Sequence, residues 1–217
     1  GVKMADYPIN LRMANKKCIV VGGGTVACRK VKSLLAAGAE VAVLSPELTV
    51  ELKEMQQRNQ FNYIARPYRK GDLRGFFLVI CATDDSAVNE AVAEEAEAAG
   101  ILANVVDVPE LGNFSVPAQV KRGDLLLTVS TGGKSPAMAK KLRQELAKQY
   151  GEEYGEYLDM LDKIRRELKQ RLATSKQREL FWRETIDENV LALLRQGRID
   201  EAEAVICHAV SSIRIES

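Results

Sequence analysis

The first half of the chain alternates between short, continuous apolar runs and longer amphipathic stretches. Residues 19–21 are apolar and β-branched, a pattern typical of a strand that is buried on both faces. Three glycines follow, and then a predicted helix that ends at Gly38. The apolar residues of this helix recur at i, i+4, i+7 and i+8: Ala27, Val31, Leu34 and Leu35. A second apolar run at residues 40–46 completes a predicted strand–helix–strand unit.

The same alternation continues as far as residue 109. Ser45 and Pro46 are predicted to be the N-cap and the first residue of a second helix. Three further strands are predicted at residues 61–68, 75–85 and 101–109. A third helix is predicted at residues 86–99. We expect Asp84 or Asp85 to cap this third helix. Strands that alternate with helices predict a mostly parallel sheet, and ligands bind such sheets beyond the carboxyl ends of the strands.

The pattern changes near residue 112. Two extended runs flank the turn at residues 122–124, which predicts an antiparallel hairpin. Ser135 and Pro136 then predict the N-cap and first turn of a helix. The apolar stripe of that helix falls at i, i+4 and i+8: Met138, Leu142 and Leu146. From residue 152 onward the chain is predicted to be helical, with one of the helices at residues 178–196.

These patterns predict an α/β protein in three parts. A Rossmann-type parallel-sheet domain covers residues 1–112, a small α+β region (the hairpin plus a helix) covers 113–150, and a helical domain covers 151–217. With 217 residues, 46% of them hydrophobic, the chain is long and apolar enough to bury a substantial core. Met4 is expected to be the natural first residue.

Charge and composition narrow the classes of partner. The formal net charge is +1, so the overall field does not favour nucleic acid or an anionic membrane. The apolar runs are too short to span a bilayer, and the N-terminus lacks the pattern of a signal peptide, which predicts a cytoplasmic protein. The four cysteines form no C-x-x-C motif, and His208 is the single histidine. We therefore predict no bound metal.

The glycine cluster after the first strand is a candidate cofactor site. Gly22, Gly24 and Ala27 match the G-x-G-x-x-G/A pattern of dinucleotide-binding proteins. In that pattern the first glycine permits a tight turn, the second lets the backbone approach a pyrophosphate, and the third, small residue lets the helix lie close to the strand. The alternative is a turn between strand and helix that binds nothing.

The second strand lacks the acidic residue that usually hydrogen-bonds the adenosine ribose about 20 residues after the glycines. The strand ends in Leu44, Ser45 and Pro46, and Glu47 is the nearest carboxylate. Because no arginine stands beside it to bind a 2′-phosphate, the sequence favours NAD over NADP.

The segment "STGGKSP" resembles a phosphate-binding loop, but it does not match the full residue pattern of such a loop. Such a loop needs a glycine where this chain has Thr128, and Pro136 removes an amide that the loop would use. What remains is a glycine-rich segment before a helix, where Ser130, Lys134 and Ser135 could bind an anion. Plain capping of the helix by Ser135 is the alternative, and both stay open.

Asp107 follows the fifth predicted strand, at the edge where parallel sheets bind ligands. A carboxylate in this place could accept or relay a proton. From the pattern alone, capping of the turn before Pro109 is favoured over a role in proton transfer.

Four segments of the chain together resemble the sequences of one protein family. They are "VVGGGTVACRK", "ICATDDSAVN", "NVVDVPELGNFSVPAQVKRGDLLLTVSTGGKSPAMAKKLRQEL" and "RELFWRE". The chain is similar through them to the sirohaem synthase family, whose members are precorrin-2 dehydrogenases and in some cases also sirohydrochlorin ferrochelatases. The resemblance runs from about Tyr7 to Trp182, and the block at residues 104–146 is its most specific part.

The resemblance implies a Rossmann domain, a central dimerisation region at residues 113–150, a helical domain and a homodimer. It also implies NAD-dependent oxidation of precorrin-2 to sirohydrochlorin, followed in some members by insertion of ferrous iron. The implied catalytic residue is Asp107. With the sheet-edge positions added, the predicted cofactor-binding residues are Gly22, Gly24, Thr25, Val26, Ser45, Pro46, Glu47, Thr83 and Asp84. The predicted contacts to the anionic tetrapyrrole are Ser130, Lys134 and Ser135.

Two other functions stay open from the residues. An NAD(H)-sensing regulatory Rossmann protein would bind the dinucleotide without turnover and carry a basic recognition helix. A dehydrogenase of a small substrate would explain the glycine turn, but it gives no role to the hairpin, to "STGGKSP" or to the helical tail.

Overall fold

The computed structural model describes residues 6–172, 174–186 and 188–212, and Met4 lies outside these ranges. The described chain forms two compact units, which meet in sequence between Val116 and Pro117. The predicted three-part division at residues 112 and 150 stays a prediction.

The first unit alternates strands and helices along the chain. Its strands are β1 (Lys17–Val21), β2 (Glu40–Leu44), β3 (Asn62–Ile64), β4 (Leu78–Cys81) and β5 (Leu102–Val105). Its helices are α1 (Thr25–Ala36), α2 (Val50–Gln57) and α3 (Ser86–Ala99), and a 3₁₀ turn (Pro109–Leu111) follows β5. The strands form one parallel sheet in the order β3-β2-β1-β4-β5. The predicted Rossmann-type sheet is therefore confirmed.

Side chains of each central strand alternate between two apolar cores, one on each face of the sheet. On β1, Cys18 and Val20 enter the core that α1 and α2 cover, with Val31 and Leu52. Ile19 and Val21 enter the opposite core, which α3 covers. Burial on both faces explains the continuous apolar runs of these strands.

The ends of α3 follow the sequence signals. The carboxylate of Asp85 accepts hydrogen bonds from the amides of Ala87 (2.9 Å) and Val88 (3.2 Å), which confirms that one aspartate of the pair caps this helix. Gly100 ends the helix with φ of 67°, a left-handed conformation that glycine adopts without strain.

The start of the second helix was predicted wrongly. α2 begins at Val50, with Thr49 as its N-cap, and not at Pro46. The Ser45 hydroxyl donates to the Glu47 carbonyl oxygen (2.7 Å), so it shapes a loop and caps no helix. The Thr49 amide donates to the Gly23 carbonyl oxygen (2.9 Å), which holds this loop against the glycine turn. A contact between residues so far apart in sequence overrides the local helix signal.

The described residues of the second unit form a hairpin and five helices. β6 (Ala118–Arg122) and β7 (Leu125–Val129) pair antiparallel, as predicted. The helices are α4 (Pro136–Gln149), α5 (Glu153–Arg171), α6 (Ser175–Thr185), α7 (Glu188–Arg195) and α8 (Ile199–Ser211). The single helix predicted at 178–196 is divided between α6 and α7, because the backbone leaves the helical conformation at Ile186 (ψ 72°). None of the described helices has the length and apolar character needed to cross a membrane.

The hairpin turn packs closely against the start of α5. A Cβ added to Gly123 would lie 3.1 Å from the Cα of Gly155, so the two backbones are in direct contact. Arg122 donates to the carbonyl oxygens of Ala147 (3.2 Å) and Tyr150 (3.0 Å) at the end of α4. The side chain of Arg122 thus satisfies carbonyl groups that a helix end leaves without partners.

The last four helices enclose a third apolar core, in which Tyr157 carries a buried hydroxyl without a hydrogen-bond partner among the described residues. Burial raises the pKa of this phenol to about 12. An unpartnered buried hydroxyl costs stability, since the group loses its bonds to water and gains none.

We expect Tyr157→Phe to raise the free energy of unfolding by about 1 kcal/mol, because it removes that buried hydroxyl and keeps the ring. Chemical denaturation of both proteins measures the difference. Tyr154→Phe, one turn earlier on α5, is the matched control and is expected to change stability by less than about 0.5 kcal/mol. A loss of stability in Tyr157→Phe would contradict the interpretation.

Candidate active site

All the predicted cofactor residues, together with Asp107, lie at the carboxyl edge of the parallel sheet. Gly22, Gly24, Thr25 and Val26 follow β1; Ser45, Pro46 and Glu47 follow β2; Thr83 and Asp84 follow β4; Asp107 follows β5. Since β1 lies between β2 and β4, the loops after these three strands are neighbours. The structure thus brings together residues from four separate segments of the sequence.

The glycine turn after β1 has two closed positions and one open position. At Gly22, whose φ is 123°, an added Cβ would lie 2.1 Å from the Ala82 carbonyl oxygen. At Gly23 it would lie 1.9 Å from the Glu47 carbonyl oxygen. At Gly24 it would meet nothing within 4 Å. Only Gly24 therefore presents open backbone, as the second glycine of a dinucleotide site must.

Gly23 was not among the predicted site residues. The motif leaves its position unspecified, yet its backbone packs directly on the loop after β2. The run of three consecutive glycines was the available signal, because two of them would satisfy the motif without the third.

The start of α1 fits an anionic group. Gly24 is its N-cap and provides no side-chain cap, and the first turn contains no acidic residue. The first amides of a helix have no intrahelical acceptor, and the helix dipole favours negative charge there. Thr25 and Val26 occupy this first turn, while Ala27 is fully buried against the sheet. This arrangement fits the pyrophosphate of a dinucleotide.

The loop after β2 is held by a residue that sequence analysis missed. The Tyr63 hydroxyl, on β3, donates toward the carbonyl oxygens of Ser45 (3.0 Å) and Pro46 (3.2 Å). The Ser45 side chain is buried, so it supports the loop from within, whereas Glu47 is exposed. Glu47 can therefore offer its carboxylate to a ribose hydroxyl, in a loop beyond the strand end where dinucleotide-binding folds usually have an acidic residue.

Asp107 is exposed in the bend that follows β5. The Val106 amide before it donates to the Cys81 carbonyl oxygen (2.9 Å), which extends the pairing of β5 with β4 up to this bend. The 3₁₀ turn after Asp107 is preceded by Val108 and has no side-chain cap. Asp107 therefore does not cap this 3₁₀ turn, and its role in catalysis stays a prediction.

The Cys81 thiol at the end of β4 is affected by the charge of the Asp107 carboxylate. Burial, the larger cause, and this nearby carboxylate together raise the pKa of the thiol to about 12. Cys81, at the end of β4, and Asp107, after β5, are thus electrostatically coupled at the sheet edge.

Two asparagines hold the far end of the Asp107 loop. The Asn113 side chain accepts from the Ala103 amide (2.9 Å) and donates to the Ile101 carbonyl oxygen (3.1 Å). Asn104 donates to the Phe114 carbonyl oxygen (3.1 Å). The chain therefore returns along the open edge of β5, and both ends of the loop that carries Asp107 are fixed. No spacing motif predicted these asparagines.

The predicted substrate residues lie in the second unit, before α4. The Ser135 hydroxyl accepts from the Met138 amide (3.2 Å), which confirms the predicted N-cap. The Ser130 hydroxyl accepts from the Gly132 amide (3.2 Å), and Lys134 is exposed. Helix capping thus accounts for Ser135, and anion binding by the three residues stays a prediction. The described ranges contain no group of three or more His, Cys, Asp or Glu residues placed to hold a metal.

A doubly wound parallel sheet with an open glycine position before a helix defines an NAD(P)-binding protein of the Rossmann type. In agreement, residues 9–118 match a family model described as "Putative NAD(P)-binding". Residues 122–149 match "Sirohaem biosynthesis protein central", and residues 153–210 match "Sirohaem synthase dimerisation region". The chain belongs to the sirohaem synthase family.

Relatives in the family are similar along most of this chain. The siroheme synthase of Methylobacillus flagellatus is 41% identical over 193 residues, which are 87% of this chain and 41% of that protein. The siroheme synthase of Methylococcus capsulatus is 37% identical over 208 residues, 95% of this chain and 44% of that protein. The chain thus spans less than half the length of these relatives.

A solved structure named "SirC, precorrin-2 dehydrogenase" is similar to this protein along almost its entire length. Its sequence is 29% identical, the TM-score is 0.73, and the match covers 92% of this chain and 99% of that one. Together with the NAD(P)-binding family model, this similarity supports NAD as the cofactor of the first unit.

Gly23 and Gly24 are expected to respond differently to a methyl group. Gly23→Ala should lower the free energy of unfolding by about 2 kcal/mol, because the new Cβ overlaps the Glu47 carbonyl oxygen. Gly24→Ala should keep the stability within about 1 kcal/mol, because Gly24 has ordinary backbone angles (φ −84°, ψ −172°) and open space.

Gly24→Ala should instead weaken NAD binding by about tenfold or more, since the methyl group occupies the space of the pyrophosphate. Thermal melts and calorimetric titration with NAD measure the two effects. Unchanged NAD affinity in Gly24→Ala would show that the open position is not the pyrophosphate site.

Proposed function

We propose that this protein oxidises precorrin-2 to sirohydrochlorin with NAD as the hydride acceptor. The observation that carries the proposal is that Asp107 and the open glycine turn share one edge of the sheet. The full-length similarity to a protein named precorrin-2 dehydrogenase supports the identity of the substrate. A purely regulatory NAD(H) sensor would need no carboxylate fixed at that edge.

The reaction removes two hydrogens from the tetrapyrrole, one as a hydride and one as a proton. Bound NAD supplies the acceptor for the hydride. The chain's own residues position the reactants: the amides of the first turn of α1 bind the pyrophosphate, and Glu47 accepts hydrogen bonds from the adenosine ribose. Ser45, Pro46, Thr83 and Asp84 complete the cofactor contacts through the loops in which they lie.

Asp107 is the proposed proton acceptor, directly or through a water molecule. Its loop is fixed at both ends, by the pairing of Val106 with Cys81 and by the contacts of Asn113 with β5. A base held in place before substrate arrives avoids the cost of ordering it during the reaction.

The substrate is a polyanion, and the second unit offers positive charge and the N-terminus of a helix to bind it. Lys134 is exposed next to the N-terminus of α4, and Lys140 follows on the same helix. We assign Ser130, Lys134 and Ser135 to the carboxylates of the tetrapyrrole, where the helix dipole adds to the attraction.

The proposed assembly is a homodimer that buries one face of α4. This helix buries none of its own residues in the chain, and Met138 and Leu142 are 58% and 39% exposed. An apolar stripe left in water is typical of an interface. The description of residues 153–210 as a dimerisation region gives further support to a dimer.

The proposed location is the cytoplasm. Cys18, Cys28 and Cys81 are buried free thiols, which agrees with a reducing compartment. Ferrous iron is proposed as a second substrate only for the chelatase step that some family members perform, and the assay below includes it.

We expect Asp107→Asn to lower kcat for NADH formation from precorrin-2 by at least about a hundredfold, since it removes the proton acceptor and keeps the shape. The dissociation constant of NAD should change by less than about twofold. The absorbance of NADH and of sirohydrochlorin measures kcat, and calorimetry measures the dissociation constant of NAD. Full activity in this variant would remove Asp107 from the mechanism. Ferrous ion added after dehydrogenation then tests whether sirohaem forms.

The double variant Met138→Lys/Leu142→Lys should be monomeric in sedimentation velocity while its circular dichroism stays that of the folded protein, because two charges in an apolar interface lack partners. Val50→Lys/Val116→Lys, on exposed apolar positions of the first unit, is the matched control and should stay dimeric. Dissociation of the control alone would move the interface to the first unit.

A further inference from the structure

We propose that Asn89 is a positioning residue for the cofactor site: it holds the turn after β4 in the conformation that supports the glycine turn. The inference rests on the proposed use of NAD in the first unit. Asn89 lies in α3, outside the glycine motif and outside every segment assigned above to cofactor, substrate or catalysis.

Asn89 is only 3% exposed, and both ends of its amide are used. Its Nδ2 donates to the Thr83 carbonyl oxygen (3.2 Å), and its Oδ1 faces the Cys81 Sγ (3.2 Å). A carbonyl oxygen can only accept, so the contact with Thr83 sets which way the amide points. The thiol of Cys81 must then be the donor to Oδ1.

The turn that Asn89 holds is in direct contact with the glycine turn. The Ala82 amide donates to the Val21 carbonyl oxygen (2.8 Å), and the Ala82 carbonyl oxygen is the atom that a Cβ at Gly22 would overlap. Ala82 lies between the two residues that Asn89 binds. A shift of this turn would therefore move the wall against which Gly22 packs, and with it the open backbone of Gly24.

Packing alone gives no reason for an asparagine at this position. α3 covers the apolar core with Val92, Ala93 and Ala96, and an apolar side chain at residue 89 would suit that face. A buried amide costs free energy unless its bonds are made, and asparagine is a weaker helix former than leucine. The two bonds to the turn offset that cost and explain the residue.

The test uses two substitutions of Asn89. Asn89→Asp has the same shape but places a carboxylate oxygen against the Thr83 carbonyl oxygen, and Asn89→Ser shortens the side chain so that neither bond is made. We expect each to raise the dissociation constant of NAD by about tenfold, the loss typical when a buried polar group loses its partner. The KM for precorrin-2 should change by less than about twofold, and kcat at saturating NAD by less than about threefold.

Two further variants distinguish positioning from loss of stability. Val92→Ala lies on the same helix and opens the core that this helix covers, while both hydrogen bonds of Asn89 remain, so it should lower the melting temperature but keep the NAD affinity. Cys81→Ala removes the thiol and keeps the bond from Asn89 to Thr83, so it should bind NAD within about threefold of wild type.

NAD binding is measured by calorimetry without tetrapyrrole, so the result does not depend on the proposed reaction. If the Asn89 variants bind NAD as wild type does, or if Val92→Ala loses as much affinity at an equal melting temperature, the positioning role is wrong. Wild-type protein that fails to bind NAD overturns it as well. NAD binding that follows the expected pattern without any oxidation of precorrin-2 would contradict only the proposed function.

Discussion

The first unit depends on backbone-to-backbone packing at the carboxyl edge of its sheet. Gly22 lies against the Ala82 carbonyl group and Gly23 against that of Glu47, at separations that leave no room for a Cβ. The loops after β1, β2 and β4 are thereby held at fixed distances from one another. Gly24 also lacks a side chain, but no neighbouring residue fills the space beside it. The same turn therefore leaves backbone atoms accessible to a ligand.

Buried polar side chains maintain that packing from below. Ser45, Asn89 and Asn104 are the buried polar residues of the first unit among the residues described, and each bonds a loop beyond the strands. Backbone groups that a loop presents to a ligand cannot also form hydrogen bonds within the loop. The hydrogen bonds that stabilise the loop therefore come from residues inside the fold. Burial makes these bonds strong only if every polar group is paired.

The second unit carries the residues that we propose to bind a large, anionic substrate. Its hairpin is fixed to α5 by the contact of Gly123 with Gly155, and to α4 by Arg122. α4 is left with a polar N-terminus and an unburied apolar stripe. The proposed roles in substrate binding and in dimerisation therefore fall on different parts of one helix.

Signals that act over a few residues were sufficient to predict the strands, most of the helices, the cap at Ser135 and the hairpin at residues 122–124. They predicted that Asp84 or Asp85 caps α3, and the structure identified Asp85. The sequence also placed the candidate site at one sheet edge, because chain order and parallel pairing are enough to locate the ends of strands. It could not show that Ser45 and Pro46 lead into a loop, since the bonds from Tyr63 and the contact of Thr49 with Gly23 come from distant segments. For the same reason the roles of Gly23, Asn89 and Asn113 were decided only by tertiary structure, in which the loops meet and a side chain finds the backbone group that it bonds.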